Sequence, residues 1–282
     1  MKRLFIFVLI TGVAMLRPLK ADTPDPKDGV RQAAMDYMDG AHAGDAERVA
    51  RTIHPELHKV SVAPLPNGHQ ILRRAGYSRL VELVRGNAVP LPADKRDIQI
   101  DIQYVDRGIA AVTITSAMFH ELLQLAQVDG EWKIINTLFT RQAMASKDET
   151  GWVRELPAIK QAALDYIEGA FTADGKRMER AIHPALNKAI PVKHPKTGRT
   201  LLSYTTSDML IEGAAAGVIA LEKEQWNIEL KVLDIYQDVA SVAVASTPYM
   251  DLLQLARING QWEIVNVLWV SNPKPESDNP NK

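Results

Sequence analysis

The chain carries one sequence twice, about 130 residues apart, and this duplication constrains its fold more than any other feature. Residues 30–59 and 159–188 share 15 identical residues in 30 aligned positions. A second pair of stretches, 122–134 and 252–264, shares the run Leu-Leu-Gln-Leu-Ala and a Gly-x-Trp-x-Ile pattern. Solenoid repeats have periods of only about 20–50 residues. A repeat of this length therefore indicates two whole domains.

The first 21 residues have the pattern of a secretory signal peptide. Lys2 and Arg3 precede an apolar run, residues 4–16, that is too short to span a bilayer comfortably. We expect cleavage after Ala21, which predicts an exported protein, periplasmic or secreted, without a stable membrane span. A retained amino-terminal anchor is the alternative.

Composition excludes several classes of function. The chain has no cysteine, which excludes disulfides, thiol nucleophiles and cysteine-ligated zinc. Without the signal peptide it has 29 basic and 34 acidic residues. No basic patch is present, so we expect no nucleic-acid partner.

Each copy predicts helices followed by antiparallel strands, which is an α+β domain. Apolar residues recur with helical spacing over 30–43, and Asp45 is placed to cap a second helix that Pro55 ends. Asp129-Gly130 and Asn259-Gly260 are the dipeptides best suited to two-residue hairpin turns. In copy one the pattern predicts helices at 30–43, 46–53 and 78–85, and strands at 57–62, 70–73, 98–102, 109–115, 119–128 and 131–139.

An ordered set of motifs then resembles a known family. The set is Tyr37-x-x-Gly40, Ile53-His54-Pro55 and Leu123-x-Leu125…Gly130-x-Trp132-x-Ile134-x-Asn136, and each motif has a second-copy equivalent. It resembles the nuclear transport factor 2-like superfamily and, within it, the bacterial group called putative lumazine-binding. The resemblance implies a cone of three helices over a curved antiparallel sheet. Because the superfamily includes ketosteroid isomerase, scytalone dehydratase and many members without known activity, it implies the fold more firmly than a function.

The resulting domain plan has five parts. Residues 1–21 are a signal peptide, 28–141 and 158–270 are the two domains, 142–157 are a polar linker, and 271–282 are a disordered tail. The outward face of the last strands is too apolar for a solvated sheet face. Since superfamily members commonly dimerise sheet to sheet, we expect an intramolecular pseudo-dimer or a homo-oligomer.

Six side chains retained in both copies are candidates for ligand binding. His54 and His183 could be general bases at the rim of the cone, or could cap the helix that each one ends. Tyr37 and Tyr166 lie on the apolar stripe of the first helix and could line a pocket or fill the core. Asn136 and Asn266 share a strand face with apolar residues, so each amide should either reach a ligand or bind neighbouring backbone.

Three functional hypotheses follow. The chain is an exported tandem-domain protein that binds a small apolar molecule or acts as an accessory factor without catalysis. Alternatively it is a lyase or isomerase that uses His54 or His183 as a base in an apolar pocket, or a structural module of the envelope. No metal cluster survives the comparison of the copies, because His58, His69 and His120 become Asn187, Arg199 and Met250. We therefore expect no metal and no cofactor, and no feature requires a pteridine or a flavin.

Overall fold

The computed structural model describes residues 25–142 and 151–273. The predicted signal peptide, residues 143–150 of the predicted linker and residues 274–282 of the predicted tail lie outside this part of the chain. The two described ranges form two domains of the same architecture, which confirms the predicted tandem α+β fold.

Each domain has three α-helices and six strands, with one short 3-10 helix before the third strand. Domain 1 contains α1 (Pro26–Ala43), α2 (Ala46–Thr52), β1 (Ile53–Pro64), β2 (Gln70–Ala75), α3 (Tyr77–Arg85), β3 (Gln99–Asp106), β4 (Ile109–Thr115), β5 (Phe119–Val128) and β6 (Glu131–Arg141). Domain 2 contains α4 (Gly151–Phe171), α5 (Gly175–Ala181), β7 (Ile182–Lys193), β8 (Thr200–Thr205), α6 (Ser207–Ala215), β9 (Glu229–Tyr236), β10 (Val239–Ala245), β11 (Tyr249–Ile258) and β12 (Gln261–Ser271).

The two sheets have equivalent strand orders, β2-β1-β6-β5-β4-β3 and β8-β7-β12-β11-β10-β9. The pairs β1–β6 and β7–β12 are parallel and the other pairs are antiparallel. Both predicted hairpin turns are confirmed, since Asp129-Gly130 and Asn259-Gly260 have positive φ at both positions. Positive φ at both central residues is what a tight hairpin of this twist requires.

The first helix of each domain packs its apolar stripe against the sheet. In α1 the buried positions include Val30, Ala34, Tyr37 and Met38, as the helical period predicts. The Asp45 side chain accepts a hydrogen bond from the backbone of Arg48 and so caps α2 as expected.

Helix α4 begins earlier than the predicted linker allows. It already includes residues 151–157, and Pro157 lies inside it. Contacts with the sheet hold these first turns, because Glu155 accepts hydrogen bonds from Arg257 Nη1 at 2.6 Å and Trp262 Nε1 at 2.8 Å. The predicted linker is therefore helical over its last seven residues.

A β-bulge in the last strand of each domain changes which face its side chains occupy. Gln124 pairs with Asn136 and Leu125 pairs with Ile134, which leaves Ile135 as the extra residue. Val265 is the equivalent extra residue in domain 2. An extra residue reverses the alternation of side chains beyond it. Ile134 consequently lies in the core of domain 1, whereas Leu138 lies between the domains.

The two sheets pack against each other through their outer faces. One cluster joins Ile109, Ala111, Ala126 and Ile135 of domain 1 to residues of domain 2 that include Leu252 and Leu268. A second cluster joins Val60, Leu122 and Leu138 to Val239, Ala256, Ile258 and Val265. Ile135 and Val265 of the outer face predicted from the sequence are thus buried between the domains. The prediction is wrong for Phe139, Val267 and Trp269, which pack in the domain cores because the bulge reverses the alternation of side chains beyond it. Among the described residues, no helix is long and apolar enough to cross a membrane.

Candidate functional site

A lysine, a carboxylate and a tyrosine meet inside domain 1, between α1 and the sheet. Tyr37 belongs to the buried stripe of α1, Lys59 to β1 and Glu121 to β5, and none is more than 7% exposed. Lys59 Nζ donates to Glu121 Oε2 at 2.8 Å and to the Tyr37 hydroxyl at 2.9 Å. The hydroxyl in turn donates to Glu121 Oε2 at 2.9 Å. We call these residues the domain 1 triad.

The ammonium group of this triad also contacts β6. Its nitrogen lies 3.8 Å from the centre of the Phe139 ring, a distance at which the ring face attracts a cation. Lys59 Nζ also donates to Thr137 Oγ1 at 3.4 Å. The buried cation is therefore bound by three oxygen acceptors and faces an aromatic ring.

Domain 2 contains the same arrangement at the equivalent positions. Tyr166 donates to Asp251 Oδ1 at 2.9 Å, and Lys188 Nζ donates to the same oxygen at 2.8 Å and to the Tyr166 hydroxyl. The ammonium lies 4.7 Å from the centre of the Trp269 ring. Tyr166, Lys188 and Asp251 form the domain 2 triad.

Two polar atoms at the domain 2 triad are buried without a hydrogen-bond partner, Asp251 Oδ2 and Trp269 Nε1. The equivalent residues of domain 1 are Glu121, which is longer by one methylene, and Phe139, which has no N–H group. Val267 also replaces Thr137, so the domain 2 triad has lost a hydroxyl neighbour. The two sites are alike in their ion pair and differ in their unsatisfied groups.

Burial shifts the pKa of both triad tyrosines and of Lys59. It raises the pKa of both Tyr37 and Tyr166 well above the usual range, and the neighbouring carboxylate raises each further. Both hydroxyls are therefore protonated donors at neutral pH. Burial lowers the pKa of Lys59, an effect that Glu121 opposes. Because each ammonium is bound to a carboxylate and a phenol, the triads are suited to hydrogen bonding rather than to nucleophilic attack.

The profile of one protein family matches both domains. The family is described as putative lumazine-binding, and the matched residues are 25–140 and 154–270. The chain belongs to the putative lumazine-binding family. Domains of this family suggest small-molecule binding. No curated protein matches the chain significantly.

Solved structures similar to this lumazine-binding family member each match the length of one domain. An NTF2-like protein of unknown function from Shewanella baltica is 18% identical, with a TM-score of 0.37, over 44% of this chain and 98% of its own. A ketosteroid isomerase-like protein from Erwinia carotovora atroseptica is 15% identical, with a TM-score of 0.30, over 43% and 99%. A putative scytalone dehydratase from Novosphingobium aromaticivorans is 16% identical, with a TM-score of 0.29, over 42% and 84%.

Of the six candidate residues retained in both copies, only the two tyrosines belong to the triads. Tyr37 and Tyr166 are 2% and 3% exposed, and each bonds the carboxylate and the lysine of its own domain. They are thus core residues whose hydroxyls contact the most polar part of the interior.

His54 and His183 are engaged in local backbone contacts at the start of β1 and β7. His54 Nδ1 accepts from the backbone of Glu56 at 3.2 Å, and His183 Nδ1 accepts from the backbone of Ala185 at 3.0 Å. Burial lowers the pKa of each imidazole. The helix-capping contact considered from the sequence is replaced by a turn contact at the beginning of the strand.

Asn136 and Asn266 lie between the domains and not with the apolar core residues of their strand. The expectation that Asn136 shares a face with Trp132 and Ile134 is wrong, because the bulge at Ile135 turns it to the opposite side. Asn136 donates to Gln124 at 2.8 Å and accepts from Asn187 at 2.8 Å. Gln124 then donates to the Leu252 carbonyl of domain 2 at 2.8 Å.

The same network is repeated from domain 2. Asn266 donates to Gln254 at 2.8 Å, Gln254 donates to the Leu122 carbonyl at 2.8 Å, and Asn266 Oδ1 lies 2.6 Å from His58 Nδ1. His58 and Asn187 occupy equivalent positions in the two copies. The network therefore has the pseudo-symmetry of an isologous interface.

The triad residues that the motifs missed are the lysines and the carboxylates. Lys59 and Lys188 are the last identical pair in the alignment of 30–59 with 159–188, and Glu121 and Asp251 precede the repeated Leu-Leu-Gln-Leu-Ala. A buried lysine is rare unless it is paired, and these lysines lie in strands rich in apolar residues. The sequence does contain one indication of these residues, because both copies of the repeat keep a lysine and a carboxylate at equivalent positions.

Other candidate sites are less well defined. Among the described residues, no cluster of three or more His, Asp or Glu side chains could hold a metal. A groove of about 570 Å³ at the domain interface is lined by residues that include Arg74, Tyr77 and Tyr204. A second groove of about 410 Å³ includes His183, Asn259 and Glu263.

Proposed function

We propose that this chain is a non-catalytic small-molecule binding protein whose ligand enters the domain interior beside a triad. The observation that carries the proposal is the buried lysine–carboxylate–tyrosine contact found at equivalent positions of both domains. Breaking buried ion pairs is costly, yet replacing them by apolar residues is often neutral or stabilising. Stability alone therefore does not account for two such sites, whereas binding of a polar part of a ligand does.

The surroundings of the triads support binding of a largely apolar molecule. Each ammonium lies against aromatic rings, Phe139 in domain 1 and Trp269 in domain 2. Apolar walls with a few buried polar groups are typical of small-molecule sites. Membership of the putative lumazine-binding family supports the same class of function.

Mass measurement of the intact chain tests this proposal. The full chain, purified from its own host under native conditions, should carry a small-molecule mass that denaturation releases. The double variant Tyr37→Phe/Tyr166→Phe removes only two hydroxyls and should lose that mass while its circular dichroism spectrum shows that it remains folded. Tyr204→Phe, which removes a hydroxyl from the domain interface, is the matched control and should keep the mass. Absence of a bound mass in wild-type protein, or its persistence in the double variant, would contradict the proposal.

The alternative of a lyase or isomerase with a histidine base has no comparable support. His54 and His183 accept backbone hydrogen bonds within their own turns through Nδ1, and the carboxylate near His54 Nδ1 belongs to Glu56 of the same turn. Among the described residues, no contact links either imidazole to a group that it could activate.

We also propose that the protein acts outside the cytoplasm. The support is the charged and apolar pattern of residues 1–21. Fusion of these residues to a phosphatase that is active only after export provides the test. An active fusion supports export, and an inactive fusion that is stably expressed contradicts it.

A further inference from the structure

The groove of about 410 Å³ contains a carboxylate and an apolar wall, and both domains contribute to it. Strand β2 of domain 1 lines one side, and the start of β7 and the β11–β12 hairpin of domain 2 line the other. The apolar lining consists of Ile71, Leu72, Pro184 and Ile258, and the acidic group is Glu263. None of the described residues that line this groove is a lysine or an arginine.

The carboxylate of Glu263 lacks a counter-charge. Glu263 is half-buried, and burial raises the pKa of its carboxyl group. Within residues 25–142 and 151–273, this carboxylate makes no hydrogen bond and no ion pair. His183 does not neutralise it, because burial lowers the pKa of the imidazole and Nδ1 accepts from the backbone of Ala185 at 3.0 Å. At neutral pH the groove therefore carries a negative charge.

Hydrogen bonds between the domains fix the walls of the groove. Gln70 N donates to Asn259 Oδ1 at 2.7 Å, and Asn259 N donates to Gln70 Oε1 at 2.8 Å. Asn259 Nδ2 also donates to the Gln70 carbonyl at 3.2 Å. The two amide side chains satisfy each other, so the groove is already formed before a ligand binds, as is usual for small-molecule sites.

Domain 1 shows which group the equivalent position accommodates. Lys133 is the counterpart of Glu263, and its Nζ donates to the Arg51 carbonyl at 2.6 Å. The same Nζ pairs with Glu131 Oε2 at 2.7 Å, and Gln261 replaces Glu131 in domain 2. In domain 1 the chain itself thus supplies an ammonium group and a carboxylate. Domain 2 supplies only the carboxylate.

We propose that this groove binds a small organic cation, a primary ammonium attached to an apolar group. The ammonium pairs with the Glu263 carboxylate, and the apolar group packs against Ile71, Leu72 and Ile258. This site goes beyond the proposed function, because it lies outside the domain interiors and shares no residue with either triad.

The charge and composition of the groove exclude the competing ligand classes. Glu263 would repel an anion, and a neutral apolar molecule would bury the carboxylate further without a counter-charge. A metal ion needs more ligands than one carboxylate and one imidazole. No cluster of three or more such groups occurs in the part of the chain that the structure describes.

NMR titration of the full chain with phenethylamine tests the proposal. This probe carries an ammonium beside an apolar ring, and 2-phenylethanol replaces only the ammonium by a hydroxyl. We expect saturable binding of phenethylamine and at least about tenfold weaker binding of 2-phenylethanol, because a charged donor binds a carboxylate more strongly than a neutral one. The amide resonance of Gly260, between two lining residues of the groove, should shift on titration.

Variants at position 263 test the role of the carboxylate. Glu263→Gln keeps the shape of the side chain and should weaken phenethylamine binding at least about tenfold. Glu263→Lys installs the residue of domain 1 and should abolish binding. Glu131→Gln removes one carboxylate from the equivalent hairpin of domain 1 and is the matched control, which should bind phenethylamine like wild type.

A second pair of variants tests the wall contributed by domain 1. Ile71 is 41% exposed, so Ile71→Ser should remain folded. It should weaken phenethylamine binding at least about fourfold, the effect of one buried methylene group. Leu201→Ser, at the equivalent and 49% exposed position of β8, should leave binding unchanged. This pair decides the question if the Glu263 variants do not fold.

Three results would overturn the groove site. They are no saturable binding of phenethylamine, equal binding of the two probes, and a loss in Glu131→Gln as large as that in Glu263→Gln. The folded double variant Tyr37→Phe/Tyr166→Phe should bind phenethylamine like wild type. Loss of phenethylamine binding in that variant would place the amine at the triads and also overturn the groove site. The proposed function fails only on its own test, the bound mass of the native chain.

Discussion

His58 Nδ1 of domain 1 lies 2.6 Å from Asn266 Oδ1 of domain 2, inside the interface between the two sheets. His58 is 2% exposed, and the contact connects it to the amide network that holds the domains together. The equivalent contact, to Asn136 of domain 1, is made by Asn187 of domain 2, whose amide side chain does not titrate. Of these two equivalent contacts, only the one made by His58 can therefore be titrated.

This asymmetry predicts a loss of stability in weak acid. Burial lowers the pKa of His58 to about 4, with Asn266 opposing the shift and Arg74 adding to it. Between this value and the unfolded pKa of about 6.5, the unfolded chain binds a proton that the native chain does not, so stability falls as pH falls through this window. The contribution of His58 to this loss is on the order of 3 kcal/mol. Urea unfolding at pH 7.5 and pH 4.5 measures it.

His58→Asn is the matched control for this pH effect. It installs the residue that domain 2 uses at the equivalent position, and an asparagine amide can donate to Asn266 as Asn187 donates to Asn136. The variant should unfold like wild type at pH 7.5 and should be the more stable of the two at pH 4.5. An equal loss of stability in both proteins would show that other groups cause it.

The amide network should be sensitive to truncation. Asn266→Ala leaves Gln254 Oε1 and the His58 ring without their partner inside the interface. Because a buried group that loses its hydrogen-bond partner costs about 1–3 kcal/mol, we expect the free energy of unfolding to fall by about that amount. Lys95→Ala, at a side chain that is 69% exposed, should change it by less than about 0.5 kcal/mol. Equal losses in the two variants would contradict the role assigned to the network.

Lys59 and Glu121 of the domain 1 triad should contribute to stability as a coupled pair. Lys59→Met leaves Glu121 buried without its counter-charge and should cost about 3–5 kcal/mol of unfolding free energy. The double variant Lys59→Met/Glu121→Leu should recover most of this loss, since an apolar pair of similar volume is often neutral. Denaturant unfolding of wild type, Lys59→Met, Glu121→Leu and the double variant gives the coupling energy. A double variant that is less stable than Lys59→Met would show that the pair is not coupled in this way.

An isolated domain should not remain monomeric. Residues 25–142 alone would expose Ile109, Ala111, Leu122 and Leu138, all of which are at most 1% exposed in the full chain. A continuous apolar sheet face of this kind favours self-association. Analytical ultracentrifugation should detect dimers or larger species. A monomer as stable as the full chain would contradict the packing of the sheets.

Most of the fold could be predicted from the sequence because its signals are local. The stripe of α1, the Asp45 cap and the two hairpin dipeptides each depend on residues a few positions apart. The bulge at Ile135 could not be predicted, because it depends on how β5 and β6 pair. That single extra residue turns Asn136 to the face opposite the one that strict alternation predicts.

Only the tyrosines of the two triads could be predicted from the sequence. Tyr37 and Tyr166 were found from the helical stripe, while Lys59 and Glu121 come from separate strands that meet α1 only in the fold. The lysine is indicated by its retention in both copies of the repeat. Its pairing with a carboxylate 62 residues away depends on the tertiary structure and could not be predicted. The roles of His54 and His183 likewise depended on where each strand begins.

If the triads bind a ligand and are not required for folding, replacing the domain 2 ion pair by apolar groups should remove the ligand and leave the fold intact. We therefore expect the full chain carrying Lys188→Met/Asp251→Leu to be about as stable as wild type in denaturant unfolding, because an apolar pair of similar volume is often neutral or stabilising. Native mass spectrometry of this variant should show loss of the co-purified small molecule. A folded variant that retains the small molecule would contradict it.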